Sequence, residues 1–350
     1  MAHTPTHNKN KSRKYRRKTH SRRQNGGTTF TPRTTDELKD AVRKWVRGNK
    51  EGLGNISDWD TSNIEDMSEL FKDLGSFNED ISNWNVSKVT NMRSMFYNAE
   101  LFNQPIGNWD VSNVTNMQSM FYKSRFNQPI GNWNVSNVTN MALMFSLTPY
   151  FYQEIGNWDV SNVTNMSYMF YKAKLFNQPI GNWDVSNVTN MQSMFEGALF
   201  NQPIGNWDVS NVTNMESMFA FGFFNQPIGN WDVSKVTNMA YMFATNSEFN
   251  QPIDNWDVSN VPNMENMFYN SVYNHKQPNV KRSIDKKNLT NLHEDVLDNT
   301  KKQRMPESVR KVLSLKEGQG PGVGEIKKFL GGKLTRKRRK HNRKSRQINK

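Results

Sequence analysis

The chain has 350 residues, with 46 Lys and Arg against 32 Asp and Glu, a formal net charge of +14. It contains no cysteine, which excludes disulfides, a thiol nucleophile and thiolate metal sites. No apolar run approaches the ~18 residues of a membrane-spanning helix, so a polytopic membrane protein is excluded. The basic N-terminus has neither the apolar segment of a secretory signal nor a lipoprotein cysteine. These features favour an intracellular location (cytoplasm, nucleus or virion) over the cell surface.

The net positive charge of the chain comes from its two ends. Residues 1–33 and 332–350 each carry ten Lys and Arg and no Asp or Glu, which leaves 26 basic and 32 acidic residues in 34–331. Like-charged segments with few apolar residues cannot bury enough surface to fold, so both tails are predicted to be disordered. Their candidate polyanion-binding residues are Arg13, Lys14, Arg16, Arg17, Lys18, Arg336, Lys337, Arg338, Arg339 and Lys340.

An amphipathic helix is predicted after the first tail. In residues 34–48, Thr35 is a suitable N-cap, and the acidic residues after it suit a helix N-terminus. Its apolar face would comprise Leu38, Val42, Trp45 and Val46. We expect the segment 34–51 to cover one end of the repeats that follow.

A repeat fills residues 52–270. Tryptophan recurs at 59, 84, 109, 133, 158, 183, 207, 231 and 256, at spacings of 24 or 25 residues, which gives nine units. So regular a period is typical of a solenoid, in which each unit is one coil. Seventeen of the 19 Met occupy two columns of the repeat, and a Phe column follows them. Such columns would suit an adhesive groove, but their near invariance favours a stacked core.

The polar columns of the repeat likewise allow a structural or a functional interpretation. Ser recurs three residues after every repeat Trp, and Asp follows Trp in seven of the nine units. Stacked polar side chains can satisfy backbone groups at the corners of the coils. A calcium site would need several carboxylates around one ion, whereas each coil supplies one Asp and two coils have Asn instead. The Asn-x-Ser/Thr triplets could accept glycans, but the same Asn residues suit corners. No cofactor is expected.

Each coil is predicted to contain a short strand and a short helix. The helix would be TNMQSMFY at 115–122, where Met117, Met120 and Phe121 follow the i, i+3, i+4 rule. The strand would be 104–106 or 109–111. The predicted fold class is therefore an α/β repeat, a leucine-rich-repeat-like solenoid of about nine coils. The repeat pattern stops after Asn270, and the polar segment 271–331 has short helices predicted at 306–315 and 324–330.

The repeat resembles a known family. The unit WDVSNVTNMxxMF followed by FNQPI, with the lead-in Asp36-Glu37-Leu38-Lys39, is similar to the BspA-like leucine-rich repeat of bacterial surface proteins. That family is also described as a Mycoplasma lipoprotein-type domain of unknown function. The resemblance implies a leucine-rich-repeat-type solenoid, a role in adhesion or protein binding, and no catalytic residues. The basic tails and Asn-rich composition are also similar to proteins encoded by large DNA viruses of protists.

Two functions are expected from these features. The first is a non-enzymatic scaffold for an unknown protein partner, because extended repeat surfaces suit recognition. Exposed aromatic residues are good interface anchors, and the candidates are Tyr97, Tyr122, Tyr150, Tyr171, Phe221 and Phe223. The second is non-specific binding of nucleic acid or another polyanion by the tails. An enzyme is not expected, because all six His lie outside the repeats and no phosphate-binding loop is present.

Overall fold

The computed structural model describes residues 29–275 and Pro278. The basic residues singled out in both tails, and the helices predicted at 306–315 and 324–330, lie outside the described residues. Within the described part, the regular elements are helix α1, Thr35–Val46, and a single 3-10 turn, Ile56–Asp58. No helix in this part is both long and apolar enough to cross a membrane.

Helix α1 lies within the segment for which a helix was predicted, but its N-cap is Thr34 rather than Thr35. The Thr34 hydroxyl accepts a hydrogen bond from the Glu37 N–H at 3.2 Å, which satisfies one of the free N–H groups of the first turn. The Thr35 hydroxyl instead donates to the Asp66 carbonyl of the first repeat at 2.8 Å. Because of this contact, Thr35 joins the helix to the repeats.

The apolar face of α1 packs against the first repeat. The buried residues of this face are Leu38, Ala41, Val42 and Trp45. The Trp45 and Trp59 rings pack edge to face, with their centroids 5.9 Å apart. Val46, expected on the same face, is 42% exposed. It lies at the last turn of the helix, beyond the area that the first repeat covers.

The repeats differ from the predicted strand-plus-helix unit. Within 115–122, Asn116 forms a bridge and residues 118–122 form consecutive turns, as do the matching residues of the other eight repeats, and the stretches 104–106 and 109–111 form no strand. Each repeat contributes one residue to a continuous row of parallel bridges. The row runs from Asp66 through Asn91, Asn116, Asn140, Asn165, Asn190, Asn214 and Asn238 to Asn263.

The backbone hydrogen bonds explain why neither helix nor strand forms. If the Trp of each repeat is position 0, the N–H groups at positions 8, 10, 12 and 14 donate to the next repeat. In the fifth repeat these are Met166, Tyr168, Phe170 and Lys172, with N···O distances of 2.7–3.0 Å. The N–H groups at positions 11, 13 and 15 donate to the residue three before them. Every second donor is therefore used between repeats, so a helical i→i−4 ladder cannot form.

The core consists of columns of identical side chains. The Val at positions 2 and 5, the Met at positions 8 and 11 and the Phe at position 12 are almost completely buried, except that Met264 of the ninth repeat is half-buried. The position-12 Phe rings of successive repeats stack with centroids 5.3–5.9 Å apart. From the second repeat on, each Trp indole N–H donates to an Ile carbonyl of the preceding repeat, as Trp158 does to Ile130 at 3.1 Å. Each repeat thus completes the core and the hydrogen bonds of its neighbour.

Candidate functional site

Within the first fifteen positions of each repeat, the residues that vary lie mostly at positions 9, 10, 13 and 14, from Ser68–Asp73 in the first repeat to Glu265–Asn270 in the ninth. The segments that connect one repeat to the next also vary, in sequence and in length. We call the residues at positions 9, 10, 13 and 14 the turn face. They alternate with the buried Met and Phe at positions 8, 11 and 12, and their larger side chains are half-buried or exposed. The turn face therefore carries variable side chains, whereas the core beneath it is almost invariant.

The backbone holds the turn face in an unusual conformation. Positions 10 and 14 have positive φ in all nine repeats, with values of 51–69°. Only one of these eighteen residues, Gly197, is glycine, and the others include Leu143, Tyr168, Phe221 and Thr245. Non-glycine residues seldom adopt this region, and β-branched residues almost never do. Because the inter-repeat hydrogen bonds impose the conformation whatever the side chain, position 14 accepts Gly and Phe alike.

Three of the predicted aromatic residues occupy one column of the turn face. Tyr97, Tyr122 and Tyr171 all lie at position 13, in the second, third and fifth repeats. The Tyr97 and Tyr122 rings stack with centroids 4.5 Å apart and an interplanar angle of 9°. Partial burial raises the pKa of the Tyr122 hydroxyl, and the neighbouring Tyr97 raises it further. The pair forms an aromatic stack, and the Lys72 Nζ lies over the Tyr97 ring, 5.7 Å from its centroid.

The other three predicted aromatic residues lie partly on the turn face and partly outside it. Phe221 belongs to the turn face, at position 14, and is 41% exposed. Tyr150 and Phe223 lie outside it, in the segments that lead from one repeat to the next. Phe223 is 45% exposed and Tyr150 is half-buried. The six candidates therefore do not form a single surface.

Several members of the turn face are absent from the residues predicted from the sequence. Tyr168 and Tyr241 lie at position 10, and Tyr269 extends the position-13 column into the ninth repeat. The Tyr241 hydroxyl donates to the Glu265 carboxylate at 3.4 Å and accepts from the Asn266 amide at 3.1 Å. Counting from each Trp would have placed all three in the variable columns. The predicted helix obscured this, because a helix distributes positions 10, 13 and 14 differently around its axis.

Charge is distributed unevenly along the turn face. Its first five repeats carry four cations, Lys72, Arg93, Lys123 and Lys172, and two anions, Glu69 and Asp73. Its last four repeats carry three anions, Glu196, Glu216 and Glu265, and no cation. The face therefore has a basic and an acidic part.

Two glutamates of the acidic part differ in their surroundings. The Glu216 carboxylate accepts hydrogen bonds from the Gln192 amide at 3.1 Å and the Asn238 amide at 2.9 Å. Burial raises the pKa of Glu196, opposed by a hydrogen bond from Ser193 and the charge of Lys172. A buried carboxylate with a raised pKa gains from a cation that approaches it, because an opposite charge offsets the cost of desolvation. This part of the face suits a basic group on a partner.

The aspartates that follow Trp lie in a separate row. Asp184 accepts hydrogen bonds from Ser186, and these bonds lower the pKa of its carboxyl. In the second and fourth repeats Asn85 and Asn134 replace Asp and accept the same bond from the Ser two residues on. The row therefore fixes corners of the repeat. Among the described residues, no three His, Asp or Glu side chains gather where they could hold a metal ion.

The comparisons with known proteins found one family. The family model described as "Mycoplasma protein of unknown function, DUF285" matches three times, at residues 40–153, 146–222 and 199–306. These matches together cover 40–306 without a gap, about three quarters of the chain. Searches of the curated proteins and of the solved structures returned no match. The family repeats along the chain, and its description assigns no function.

Proposed function

Because the chain belongs to the family described as "Mycoplasma protein of unknown function, DUF285", whose model repeats along it, we propose that it is a non-enzymatic repeat scaffold. In this proposal the repeats form a solenoid of the leucine-rich-repeat type, and the turn face binds a protein partner. Repeat proteins use extended surfaces in this way, and their neighbouring units stabilise one another without the bound partner.

One observation carries the proposal, namely that variation within the first fifteen positions of each repeat is concentrated on the turn face. The core columns and the corner columns are nearly identical from repeat to repeat, whereas position 13 holds Lys, Tyr, Ser, Glu and Ala. A stack that needed only stability would not require this diversity at one surface. A recognition surface does require it, because specificity comes from a particular arrangement of anchors and charges.

The chemistry of the turn face indicates the kind of partner. Stacked Tyr97 and Tyr122 offer a compact aromatic anchor within the basic part, and aromatic anchors often dominate protein interfaces. The acidic part around Glu196 and Glu216 suits Lys or Arg on the partner. We therefore expect a folded partner or an extended peptide with separate acidic and basic regions, aligned along the repeats.

A crosslinking experiment tests the proposal. A photoreactive phenylalanine is placed at position 122 in the full-length chain, and a second protein carries it at position 152. Tyr152 is a matched control because it is 44% exposed but lies off the turn face. We expect a discrete crosslinked partner from position 122 and not from position 152.

The captured partner then allows a quantitative measurement. Combined substitution of Tyr97→Ala and Tyr122→Ala should weaken its affinity at least about tenfold, equivalent to ~1.4 kcal/mol. Tyr152→Ala should leave the affinity unchanged. Equal crosslinking from both positions, or equal losses from both variants, would contradict a binding role for the turn face.

A second candidate function is supported by the charge partition. Residues 1–33 and 332–350 each carry ten Lys and Arg and no Asp or Glu. This charge suits non-specific contact with phosphates. Deletion of both tails should abolish DNA binding at low salt, and binding by the full chain should weaken steeply as salt rises. If the deletion leaves the affinity unchanged, the tails are not the binding element.

A further inference from the structure

One ring is missing from the tyrosine column at position 13 of the turn face. Tyr97 and Tyr122, of the second and third repeats, stack on each other, and Tyr171 of the fifth repeat belongs to the same column. The fourth repeat has Ser146 at this position. Among the described residues, the Tyr122 ring has a ring contact with Tyr97 and none with Tyr171. We call the space over Ser146, between the Tyr122 and Tyr171 rings, the tyrosine gap.

The width of the tyrosine gap follows from the neighbouring phenylalanine column. At position 12 of the same repeat, Phe145 stacks between Phe121 and Phe170, with ring centroids 5.7 Å and 5.8 Å away. Positions 12 and 13 are adjacent in the chain, so the same interval separates the third and fifth repeats at both. Since this interval holds one stacked ring at position 12, the tyrosine gap has the width of one aromatic ring.

Lysine side chains cover the outer faces of the tyrosine column. The Lys72 Nζ, from the first repeat, lies over the Tyr97 ring, and the Lys172 Nζ lies over the Tyr171 ring at 4.6 Å from its centroid. Lys172 runs beside the sixth repeat, because a Cβ added at Gly197 would lie 3.1 Å from its Cγ. Both outer faces of the column are thus occupied by ammonium groups, and its inner faces border the tyrosine gap.

Tyr168 lies on the far side of Tyr171 from the gap. The two rings pack edge to face, with centroids 5.8 Å apart. Burial raises the pKa of Tyr168, and a hydrogen bond with Ser193 of the sixth repeat opposes this rise, so the Tyr168 hydroxyl is directed to that repeat. Tyr171 itself acts across the gap. Burial and Tyr97 are the larger causes of the raised pKa of Tyr122, and Tyr171 adds to them.

The base of the tyrosine gap is a hydroxyl without a partner. Ser146 is fully buried, and its Oγ has no hydrogen-bond partner among the described residues. Ala220 and Ala244, at position 13 of later repeats, are buried as well, so small residues at this position lie beneath the surface whatever their neighbours are. Leu143 and Leu147 of the fourth repeat are half-buried beside it. An unpaired buried hydroxyl is costly, and a donor that entered the gap would satisfy it.

The charge beside the gap is positive. Lys123 and Lys172 occupy position 14 in the repeats on either side of it. Glu100 pairs with Lys123 at 3.1 Å, but both side chains are about half exposed, so the pair is weak and easily exchanged. This environment suits an aromatic side chain with neighbouring carboxylates. Indole suits the gap best, because its ring can stack while its N–H donates to the Ser146 Oγ.

We propose that the tyrosine gap binds a tryptophan side chain of the protein partner, flanked there by acidic residues. The indole stacks between Tyr122 and Tyr171, its N–H donates to the Ser146 Oγ, and the carboxylates approach Lys123 and Lys172. A second copy of this chain does not supply the indole, because all ten of its Trp side chains are buried. The inference rests on the proposed function, since it names the residue that anchors the partner on the turn face.

Calorimetric titration of the full-length chain with short peptides tests the proposal. The probe is acetyl-Glu-Trp-Glu-amide. In two comparison peptides, cyclohexylalanine replaces the Trp, or a methyl group replaces the hydrogen of the indole N–H. We expect the Trp peptide to bind at least about tenfold more tightly than the cyclohexylalanine peptide, because only an aromatic ring gains from stacking on both tyrosines. The methylated peptide should bind about threefold more weakly than the Trp peptide, because it has no donor for Ser146.

Three variants locate the binding. Ser146→Tyr fills the gap and should weaken the Trp peptide at least about tenfold; Tyr already occupies position 13 in other repeats, and a thermal melt verifies that the variant folds. Ala220→Tyr is the matched control, because it adds a ring to the same column between Glu196 and Ala244, and it should leave the affinity unchanged. Ser146→Ala keeps the gap but removes the hydroxyl, so the Trp and methylated peptides should bind it equally.

Equal affinities of the native chain for the Trp and cyclohexylalanine peptides would overturn the proposal, as would unchanged binding of the Trp peptide by Ser146→Tyr. These results are separable from the test of the turn face. If crosslinking from position 122 captures no partner, the proposed function fails, while the titrations still decide whether the gap accepts an indole. A captured partner that binds the native chain and Ser146→Tyr equally well would overturn this inference alone.

Discussion

Single residues of the turn face are held in conformations that their side chains disfavour. Thr245, at position 14 of the eighth repeat, has φ of 54°, and its N–H donates to the Tyr269 carbonyl at 2.6 Å. The left-handed backbone conformation costs a non-glycine residue roughly 1 kcal/mol, and it costs a β-branched residue more. The inter-repeat bonds and the core around the turn must supply this energy.

Glycine at this position should therefore stabilise the protein. We expect Thr245→Gly to raise the free energy of unfolding by about 1 kcal/mol, because the conformational strain is removed while the N–H bond to Tyr269 remains. Gly197 already occupies position 14 of the sixth repeat, so glycine fits the turn. Chemical denaturation of the two proteins measures the difference.

A nearby substitution provides the control. Ser247 is exposed and does not have positive φ, so Ser247→Gly removes no strain and adds flexibility to the unfolded chain. It should lower the free energy of unfolding by about 0.5–1 kcal/mol. If both variants lose stability to the same extent, position 14 is not strained in solution.

Within each repeat, the corner that follows Trp is built by the aspartate row. From the fifth to the ninth repeat, Asp159, Asp184, Asp208, Asp232 and Asp257 succeed one another without an interruption. Hydrogen bonds from the Ser two residues on lower the pKa of Asp184 and Asp208, while the preceding aspartate raises each of them. The local bonds outweigh the repulsion along the row, and the pKa values are lowered overall.

The sign of this shift predicts how acid affects stability. Because Asp184 and Asp208 have lower pKa values in the folded protein than in the unfolded chain, their carboxylates favour folding above the ordinary value of 3.8. That contribution is lost as the pH falls through and below this value. The double substitution Asp184→Asn and Asp208→Asn should make the decline of unfolding free energy between about pH 5 and pH 3 shallower.

At neutral pH the same double variant should change stability by less than about 0.5 kcal/mol, because Asn85 and Asn134 already make the corner bond in other repeats. Denaturant titrations at several pH values measure both effects. A larger loss at neutral pH would mean that the corner needs a carboxylate. An unchanged acid profile would assign the acid sensitivity to other groups.

The elements also show which parts of the fold a single sequence can predict. The presence of α1 followed from its apolar spacing, but the helix ends at Val46, short of the predicted residue 48. The choice between Thr34 and Thr35 as N-cap depended on whether the second hydroxyl had a partner in the first repeat. The spacing of Met117, Met120 and Phe121 fits a helix and consecutive turns equally well. The outcome was decided by acceptors in the neighbouring repeat, which local periodicity does not reveal.

For the candidate site, the sequence predicted six aromatic residues as one variable edge. The structure places Tyr97, Tyr122 and Tyr171 at the same position of the repeat and stacks the rings of the first two. Tyr150 and Phe223 were included because they are aromatic and lie in the stretch of variable length before the next FNQPI motif. Their separation from the turn face depends on how the chain passes from one repeat to the next, which residue type does not determine.

At the scale of the whole molecule, the stack predicts unequal effects of equal substitutions. Phe170 has ring neighbours in both adjacent repeats, Phe145 at 5.8 Å and Phe195 at 5.7 Å, whereas Phe268 stacks on Phe243 of the preceding repeat at 5.6 Å. We expect Phe170→Ala to lower the free energy of unfolding by about 3–5 kcal/mol. Phe268→Ala should cost less and loosen mainly the last repeats.

Hydrogen exchange and thermal unfolding distinguish these two effects. Phe170→Ala should lower the melting temperature and weaken amide protection on both sides of the fifth repeat. Phe268→Ala should leave protection in the first six repeats unchanged. Equal, global destabilisation by both variants would mean that the repeats unfold as one cooperative unit with no end effect.

The row of bridges has a consequence for how fast the chain can fold. Each bridge joins residues only 24 or 25 positions apart, about a tenth of the described length, and the other turn bonds are shorter still. A relative contact order of about 0.1 is typical of helical bundles, which fold in microseconds to milliseconds, and lower than that of most β-proteins. Although its repeats contain almost no helix, we expect this protein to fold through contacts between residues that are close in sequence, as an all-helical protein does.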